Sequence, residues 1–574
     1  MTTRPWLSHY SSGVDPDLAP PAFAHLPALV KASSSEYAKT VAFTQCMPNG
    51  MNGSLTYAQV DELSDDFAAY LREVVGLAQG DRVAVQMPNC LSYPIVAFGV
   101  MKAGCVLVNT NPLYTAPEMA YQFADSGAKA LVVIDMFANR LPDVLAKTSI
   151  ETVIAVKISE FFPPVIAGVI RLVQKLWTRS LPKITVEHEA FRKVLAQGRA
   201  AKSVKAAEGY LTGVGHDTVA ALQYTGGTTG VSKGAMLSHG NLVFNTLQMI
   251  SMCGVYMRPG KEIVVTALPL YHIFAFTVNL LGFYHIGARN ILVPTPRPPS
   301  NLKRVLENYK VTWLSGVNTL FNALLNERWF TDSPPKHLVA SAAGGMALHE
   351  SVASRWREVT GTPIVEGYGL TESSPVLTFN PLGGMGKDGT IGIPVPSTEV
   401  RCVDDSGATL PVGEAGELVA RGPQIMLGYW QREDETAETL KDGWLYTGDI
   451  ARMDSDGYFT IVDRKKDMIL VSGFNVYPNE VEEQIGAVAG VLEVGVIGVP
   501  DERTGEKVRA FVVASTPPPT EASIIAYCKE HLAAYKAPQS VTFVDDIPKS
   551  PIGKILRREL RAQVLADSTT KGQA

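Results

Sequence analysis

Short runs of β-branched and other apolar residues alternate with longer helical stretches along most of this chain. Runs of that kind occupy residues 83–87, 130–134, 153–156, 263–265 and 291–293. Regular alternation of strands and helices indicates βαβ units built on mostly parallel sheets. We therefore predict an α/β fold for most of the chain.

The pattern changes after Asp463. Short strands are predicted at residues 494–499 and 508–513, with helical stretches around 480–485 and 522–531. This last part, on the order of a hundred residues, has the usual size of one domain. We interpret it as a separate α+β domain.

One helix start can be placed from side-chain chemistry. Thr56 followed three residues later by Gln59 is the pattern of a capping box, in which each side chain bonds to the other residue's backbone N–H. The apolar residues that follow keep helical spacing; they are Val60, Leu63, Phe67, Tyr70 and Leu71. The pattern predicts a helix that begins just after Thr56.

Composition narrows the classes of protein. The 574 residues are 46% hydrophobic and 19% charged, which suits a globular chain with a large core and several domains. A net charge of -5 provides no basic field, so nucleic acid is not an expected partner. Six scattered cysteines without a C-x-x-C pair argue against disulfides and zinc sites and favour a reducing cytoplasm.

The chain also lacks the pattern of an exported or membrane-spanning protein. Its first residues have no basic segment followed by an apolar one, so we expect no secretory signal and a cytoplasmic location. Residues 161–170 are apolar but are interrupted by Pro163 and Pro164, and about ten residues are half of what a spanning helix needs.

Residues 165–181 have an amphipathic pattern. Basic residues fall four apart, and apolar residues share another face; the two sets are Arg171, Lys175, Arg179 and Lys183, and Val169, Val173, Leu176 and Trp177. This is typical of an interfacial helix attracted to anionic lipid, and equally of a solvated helix packed on the protein. The sequence leaves open peripheral contact with the inner face of the cell membrane, and also a homodimer.

The most specific local feature is a loop rich in glycine and threonine at residues 224–237. Its glycines permit backbone conformations in which amides and hydroxyls surround phosphate oxygens, while a lysine supplies charge. The residues predicted to bind phosphate here are Thr225, Gly226, Gly227, Thr228, Thr229, Gly230 and Lys233. The loop lacks the Gly-Lys-Ser/Thr succession of a Walker A motif, and a lone cluster of this kind is more often an ordinary turn.

This loop resembles the signature loop of the adenylate-forming superfamily, which includes acyl-CoA synthetases, peptide-synthetase adenylation domains and firefly luciferase. Further blocks follow in the family's order, at residues 367–372, 446–449, 463–467 with 471–475, and 548–554. Residues 268–276, 316–321 and 442–477 are similar to bacterial long-chain fatty-acyl-CoA synthetases. The resemblance extends from about residue 5 to about residue 562.

The resemblance implies an architecture and a reaction. The expected fold is a large N-terminal domain, 1–463, of doubly wound βαβ subdomains plus a β-barrel-like part. A hinge at 464–466 would join it to a small mobile α+β domain, 467–574. The expected reaction converts fatty acid, ATP and CoA to acyl-CoA, AMP and pyrophosphate through an acyl-adenylate, with Mg²⁺ as cofactor.

The resemblance also assigns residues to adenylation. Lys554 would bridge the fatty carboxylate and the α-phosphate, Glu372 would hold Mg²⁺, and Thr371 would donate to the α-phosphate. A lone lysine is usually a solvated side chain, and the Thr-Glu pair also suits a strand-end turn. These structural alternatives are disfavoured because the other sequence blocks of the family are also present.

Nucleotide contacts are expected from two further blocks. Gly367, Tyr368 and Gly369 would bind the nucleotide, with the Tyr368 ring packed against adenine. Asp449 would accept both ribose hydroxyls, because an ionised carboxylate offers two acceptor oxygens, and Arg464 would join it. The alternative for Asp449 and Arg464 is an ordinary ion pair at a domain edge.

The second half-reaction requires the CoA thiol to reach the shielded adenylate. By resemblance, the small domain would rotate about Lys466, withdraw Lys554 and bring Ser472, Gly473 and Phe474 to the acyl side. Many family members have Asp at this hinge position and others have Lys.

An acyl site is expected along apolar segments of the large domain. The residues assigned to it are Tyr271, His272, Phe276, Trp313, Gly316, Val317, Gly344 and Gly345. By resemblance Phe276 matches a gate aromatic and His272 lies near the carboxylate. An apolar run in a large α/β domain is otherwise simply core. We do not expect His272 to act as a base, since a fatty acid is already ionised at pH 7.

Three rival functions remain at this point. The first is a ligase for medium-chain or aryl acids, and the second transfers the adenylate to a carrier protein instead of CoA. The third is a non-catalytic fatty-acid-binding or uptake protein. The full set of predicted catalytic and nucleotide-binding residues disfavours this third alternative.

Overall fold

The computed structural model describes residues 4–202, 209–225, 232–472, 474–501, 503–550 and 553–571, with side chains as far as residue 564. Four β-sheets with helices around them account for the architecture. Two large sheets are mostly parallel, the third is antiparallel, and the fourth belongs to a smaller α+β unit near the C-terminus. The predicted fold class is confirmed.

The first parallel sheet has seven strands. All neighbouring pairs are parallel except the last, in which Lys233–Ser238 runs antiparallel to Val219–Thr225. In spatial order the strands are Glu189–Ala190, Thr152–Val156, Ala130–Ile134, Arg82–Gln86, Val106–Asn109, Val219–Thr225 and Lys233–Ser238. The apolar runs that predicted strands here are buried on both faces, as parallel sheets require.

The second parallel sheet has nine strands. Six central strands are parallel, and antiparallel strands close the two edges. In spatial order they are Ile393–Pro394, Val376–Phe379, Ile364–Gly369, Ala340–Ala343, Trp313–Gly316, Ile263–Thr266, Arg289–Leu292, Val41–Cys46 and Asn52–Thr56.

The two remaining sheets follow later in the chain. The antiparallel sheet takes the place of the expected barrel-like part; it contains Glu399–Val403, Gly416–Arg421, Leu440–Lys441, Trp444–Met453 and Phe459–Arg464. The C-terminal sheet contains Ile469–Val471, Phe474–Val476, Val491–Asp501, Gly505–Ala514 and Ser540–Phe543. Helices Pro478–Gly486 and Glu521–His531 share an apolar core with this last sheet.

Helices cover the sheets and connect their strands. The α-helices before the antiparallel sheet are Leu26–Glu36, Tyr57–Ala69, Ser92–Lys102, Ala116–Ser126, Leu141–Leu145, Pro164–Leu176, Phe191–Ala201, His239–Cys253, Ile273–Ala275, Phe283–His285, Lys303–Asn308, Asn318–Leu325, Arg328–Thr331 and Glu350–Thr360. Those after its first strands are Glu433–Thr439, Pro478–Gly486, Glu521–His531 and Arg557–Lys571. Short 3-10 or π turns occupy Pro5–His9, Tyr70–Val74, Asp135–Arg140, Gly254–Tyr256, Phe276–Gly282, Pro299–Leu302 and Thr371–Ser373.

The predicted capping box is confirmed. The backbone N–H of Gln59 donates to Thr56 Oγ1 at 3.2 Å, and the backbone N–H of Thr56 donates to Gln59 Oε1 at 2.8 Å. The helix Tyr57–Ala69 begins directly after this pair.

The amphipathic segment is shorter than its charge spacing suggested. Its helix is Pro164–Leu176, and Arg179 has a left-handed φ of 47°. Arg179 and Lys183 therefore lie beyond the end of the helix, although their spacing suggested that they continue it. Arg171, which is on the helix, is bound to the buried carboxylate of Asp135. No helix within the described ranges is both long and apolar enough to cross a membrane.

Candidate functional site

Most of the predicted site residues line one cavity of about 1470 Å³. Its walls come from the ends of strands Val219–Thr225 and Ile364–Gly369, from strand Trp444–Met453, and from the turn that precedes the last helix. The carboxyl ends of parallel strands are the usual place for ligands in open α/β sheets. The fold therefore brings residues far apart in sequence to one place.

The wall that we predict to face phosphate begins at the antiparallel strand pair of the seven-stranded sheet. Thr225 and Lys233 are partners in this pair and both line the cavity. Lys233 Nζ lies 3.8 Å from Glu435 and 5.2 Å from the centroid of the Tyr429 ring. The five residues Gly226, Gly227, Thr228, Thr229 and Gly230 lie outside the described residues.

A tight turn carries the next group of predicted residues. A Cβ atom on Gly369 would lie 1.7 Å from the carbonyl oxygen of Pro375, so this position accepts only glycine in the present backbone. The turn places Gly367, Tyr368 and Thr371 in the cavity wall, together with Gly344 and Gly345 from the neighbouring strand end.

Glu372 follows in the same turn and has a partner that the sequence did not predict. The hydroxyl of Tyr429 donates to Glu372 Oε1 at 2.7 Å. Burial, followed by the charge of Glu372, raises the pKa of Tyr429, so the phenol remains a donor. Tyr429 lies in a loop whose sequence has no recognisable chemical motif, and this explains why it was missed.

The residues present fit a magnesium ion bound mainly through substrate. The described residues contain no cluster of three potential metal-binding side chains, but the carboxylate of Glu372 lies in the cavity wall. Mg²⁺ is usually held by one or two carboxylates together with substrate phosphates and water. A single carboxylate beside a phosphate-facing lysine, Lys233, suits that mode.

The nucleotide end of the cavity contains a hydrogen-bonded carboxylate. Asp449 is partnered with Arg464 across two strands, and Arg464 Nε lies 3.3 Å from Asp449 Oδ1. The Tyr368 hydroxyl donates to Asp449 Oδ2 at 2.6 Å. Burial, followed by the charge of Asp449, raises the pKa of Tyr368 well above its usual range. The predicted pair Asp449 and Arg464 is thus together in the cavity, and Tyr368 contacts the same carboxylate.

Lys554 reaches the cavity on a short turn. The turn is closed by the backbone N–H of Ser550, which donates to the carbonyl of Lys554 at 2.7 Å, and by an antiparallel bridge between Lys549 and Ile555. Burial, followed by the charge of Arg464, lowers the pKa of Lys554 to about 7. Its side chain lines the cavity and is mostly, but not fully, buried.

His272 and Tyr271, both predicted for the acyl site, line the cavity. Burial, followed by the charge of Lys554, lowers the pKa of His272 to about 4, so the imidazole is neutral at pH 7. Its Nδ1 accepts from the backbone N–H of Phe274 at 3.3 Å. The carbonyl of Tyr271 accepts from Gln223 Nε2 at 2.8 Å.

The apolar part of the cavity is lined largely by residues that the sequence did not single out. Trp313 was predicted and is present. Beside it are Met249, Cys253, Met257 and Phe283, which share one apolar cluster with Trp313. Apolar residues of a buried helix look like ordinary core in sequence, so no pattern distinguishes those that face a cavity.

Three predicted acyl residues do not line the cavity. Phe276 is 0% exposed and belongs to an apolar core that includes residues of both large parallel sheets. It is the first residue of the π turn Phe276–Gly282. A Cβ on Gly316 would lie 2.8 Å from Phe321, so that face of Gly316 is covered by the following helix. Val317 lies within 3.4 Å of a Cβ position on Gly553 and so contacts the Lys554 turn.

Of the residues predicted for the thioester step, the described ones, Ser472 and Phe474, are separate from the cavity lining, whereas the predicted hinge is part of it. Lys466 lines the cavity. Phe474 is exposed, and its ring lies 5.1 Å from that of Tyr535. Ser472 is not among the cavity residues, and Gly473 lies outside the described residues.

Known families match nearly the whole chain. Residues 30–430 match the AMP-binding enzyme family, and residues 480–554 match the AMP-binding enzyme C-terminal domain. The chain is 46% identical over 557 residues to the long-chain-fatty-acid–CoA ligase of Salmonella typhimurium, with 97% of each chain covered. The chain therefore belongs to the adenylate-forming AMP-binding enzyme family.

Solved structures agree with this assignment. An anthranilate CoA ligase, AuaEII, in complex with anthranoyl-AMP has a TM-score of 0.83 at 25% identity, covering 96% of this chain and 99% of that chain. A Mycobacterium tuberculosis fatty acyl CoA synthetase has a TM-score of 0.65 at 28% identity, covering 95% and 99%.

Proposed function

We propose that the protein is an AMP-forming long-chain fatty acid–CoA ligase that activates a fatty acid with ATP and transfers the acyl group to CoA. The main observation in support of the proposal is that one cavity has both a polar part and an apolar part. Polar groups such as Glu372, Asp449 and Lys554 share it with apolar residues around Trp313. A fatty acid would place its hydrocarbon chain in the apolar part and its carboxylate among the phosphate-facing groups.

The adenylation step requires the site to supply positive charge. The carboxylate oxygen forms a bond to the α-phosphorus as the bond to pyrophosphate breaks, and both reactants are anionic. Lys554, at the polar end of the cavity, would neutralise the charge that develops between them, while Thr371 donates to the α-phosphate. No base is required because the acid is already ionised, which agrees with the neutral, low-pKa His272.

Substrate binding would be divided among the other walls. Glu372 would hold Mg²⁺, which supplies positive charge to the phosphates when bound. Asp449 would accept from the ribose hydroxyls, with Arg464 and Tyr368 holding that carboxylate in place. Thr225, Lys233 and the loop at 226–230 would surround the outer phosphates.

Transfer to CoA would follow a rotation of residues 467–574 about a hinge at 464–466. The thiol sulfur then attacks the acyl carbon, AMP leaves, and the thiol proton passes to solvent. The exposed Phe474, outside the cavity in the present conformation, supports this proposal, because rotation would bring it to the acyl side. The same motion would withdraw Lys554.

Peripheral binding to the inner face of the cell membrane would suit a substrate that partitions into lipid. Helix Pro164–Leu176 exposes Val165, Leu172 and Leu176, and the adjoining Trp177 is 87% exposed. Lys175, Arg179 and Lys183 are exposed in the same segment, which favours an anionic lipid surface as the partner.

A chain-length series tests the catalytic proposal. Purified protein with Mg²⁺, ATP and CoA should form AMP and thioester from saturated acids, with kcat/KM rising toward long chains. Each additional buried methylene contributes about 0.8 kcal/mol, roughly fourfold in affinity. A preference for short or aromatic acids would favour an aryl or medium-chain ligase. Transfer only to a phosphopantetheinyl carrier would favour a carrier-dependent enzyme, and absence of AMP with every acid would overturn the proposal.

A further inference from the structure

Tyr429 joins the two charged groups that face the phosphates. Its hydroxyl donates to Glu372 Oε1 at 2.7 Å, and Lys233 Nζ lies over its ring at 5.2 Å from the centroid. The residue is 8% exposed and lines the cavity. One side chain therefore touches both the predicted metal-binding carboxylate and the phosphate-facing lysine.

The backbone around Tyr429 is held firmly. Tyr429 forms an antiparallel bridge with Ala235, two residues after Lys233 on the same strand. The backbone N–H of Tyr429 donates to Thr436 Oγ1 at 2.9 Å, and the backbone N–H of Met426 donates to the carbonyl of Glu372 at 2.8 Å. The loop thus links the phosphate-facing strand to the turn that carries Glu372.

A carboxylate that binds a metal needs a fixed orientation. A glutamate side chain has three rotatable bonds and several rotamers, and a hydrogen bond to one oxygen selects among them while the other oxygen remains available for coordination. The aromatic face also favours a cation above it. Both effects depend on the same tyrosine, the hydroxyl for Glu372 and the ring for Lys233.

We propose that Tyr429 is a positioning residue that orients the Glu372 carboxylate toward the Mg²⁺ of bound MgATP and supports Lys233 through its ring. This inference rests on the proposed function, since it assumes that ATP enters the cavity. Tyr429 itself takes no part in bond making or breaking.

Tyr429→Phe separates the hydroxyl from the ring. We expect the affinity for Mn²⁺, measured by electron paramagnetic resonance with a non-hydrolysable ATP analogue, to fall about tenfold, as is usual when a partner of a metal ligand is removed. Analogue affinity without metal should change little. Tyr429→Leu, which also removes the ring, should weaken metal-free binding of the analogue as well.

Tyr210→Phe is the matched control. The Tyr210 hydroxyl donates to Glu73 Oε1 at 2.6 Å, the same chemistry in a part of the protein outside the cavity lining. This variant should bind Mn²⁺ like the wild type. Its melting temperature also shows what loss of one such hydrogen bond does to stability alone.

A double-mutant comparison tests the proposal even if Tyr429→Phe alters the stability of the protein. In a Glu372→Gln background, Tyr429→Phe should cause no further loss of Mn²⁺ affinity, since the carboxylate it orients is gone. Wild-type Mn²⁺ affinity in Tyr429→Phe, or an undiminished loss in the Glu372→Gln background, would overturn the proposal. Failure of the proposed function would appear differently, as wild-type protein that forms no AMP with any acid.

Discussion

The surroundings of Lys554, the predicted catalytic lysine, lower its pKa. Its ammonium group lies in a cavity with Arg464, and both burial and that neighbouring charge disfavour protonation, which brings its pKa to about 7. The cationic form is the one that can neutralise a carboxylate approaching a phosphate. This form predominates below the pKa and is lost as pH rises through it.

The kcat/KM for acid in the adenylation half-reaction should therefore decline above about pH 7, by about tenfold per unit, since kcat/KM reports the free enzyme. Lys554→Arg keeps its charge at all these pH values and should lack this decline. Lys554→Ala should lose on the order of 10²- to 10³-fold in pyrophosphate release but retain thioester formation from preformed acyl-AMP. The measurements are pyrophosphate release and thioester yield across pH; a decline in Lys554→Arg equal to that of the wild type would contradict this role.

At the scale of elements, the helix Pro164–Leu176 is unusual because its apolar face is turned to solvent. Leu176 is 64% exposed and Trp177 is 87% exposed. Apolar side chains on one helix, next to basic residues, would enter the boundary of an anionic bilayer. Arg171 already binds Asp135, so attraction to lipid would depend on Lys175 and the residues beyond the helix.

Leu176→Ser combined with Trp177→Ser should reduce co-sedimentation with vesicles containing anionic lipid, by at least about tenfold for the loss of two membrane-buried side chains. Acyl-CoA synthesis from a detergent-dispersed acid should stay near the wild-type rate. Val255→Ser is the matched control, because Val255 is 81% exposed and lies away from this helix in sequence. The membrane contact would be rejected if the Leu176→Ser/Trp177→Ser variant bound vesicles as well as Val255→Ser does. It would also be rejected if a deletion of 161–183 left vesicle binding unchanged.

Local patterns predicted elements better than they predicted which side chains meet. The capping box at Thr56 and the apolar strands were predictable because hydrogen bonding within four residues and burial on both faces determine them. The motif residues Glu372, Asp449 and Lys554 were found through a family resemblance. Met249 and Tyr429 were not, since only the packing of distant elements decides which residues face a shared cavity.

At the scale of the whole molecule, the Lys554 turn packs against helix Asn318–Leu325 and the loop that contains Arg297. We propose that this contact decides which half-reaction is possible. A Cβ on Gly553 would lie 2.7 Å from Thr319 Oγ1 and 3.0 Å from Arg297, so the turn fits closely against that surface. Asn322 Nδ2 also donates to the carbonyl of Leu492 at 3.2 Å. This docked arrangement puts Lys554 into the cavity, which suits adenylation and excludes the thioester conformation that we propose.

Thr319→Met should selectively impair adenylation, because a longer side chain facing Gly553 would obstruct docking of the Lys554 turn. Overpacking of a close contact costs about 1–3 kcal/mol, so acid-dependent AMP formation should fall by about tenfold or more. Thioester formation from preformed acyl-AMP should be unchanged, since Lys554 is withdrawn in that step. Thr331→Met, on the neighbouring helix Arg328–Thr331, serves as the control. Equal losses in both half-reactions would show that one arrangement of the two parts serves the whole reaction.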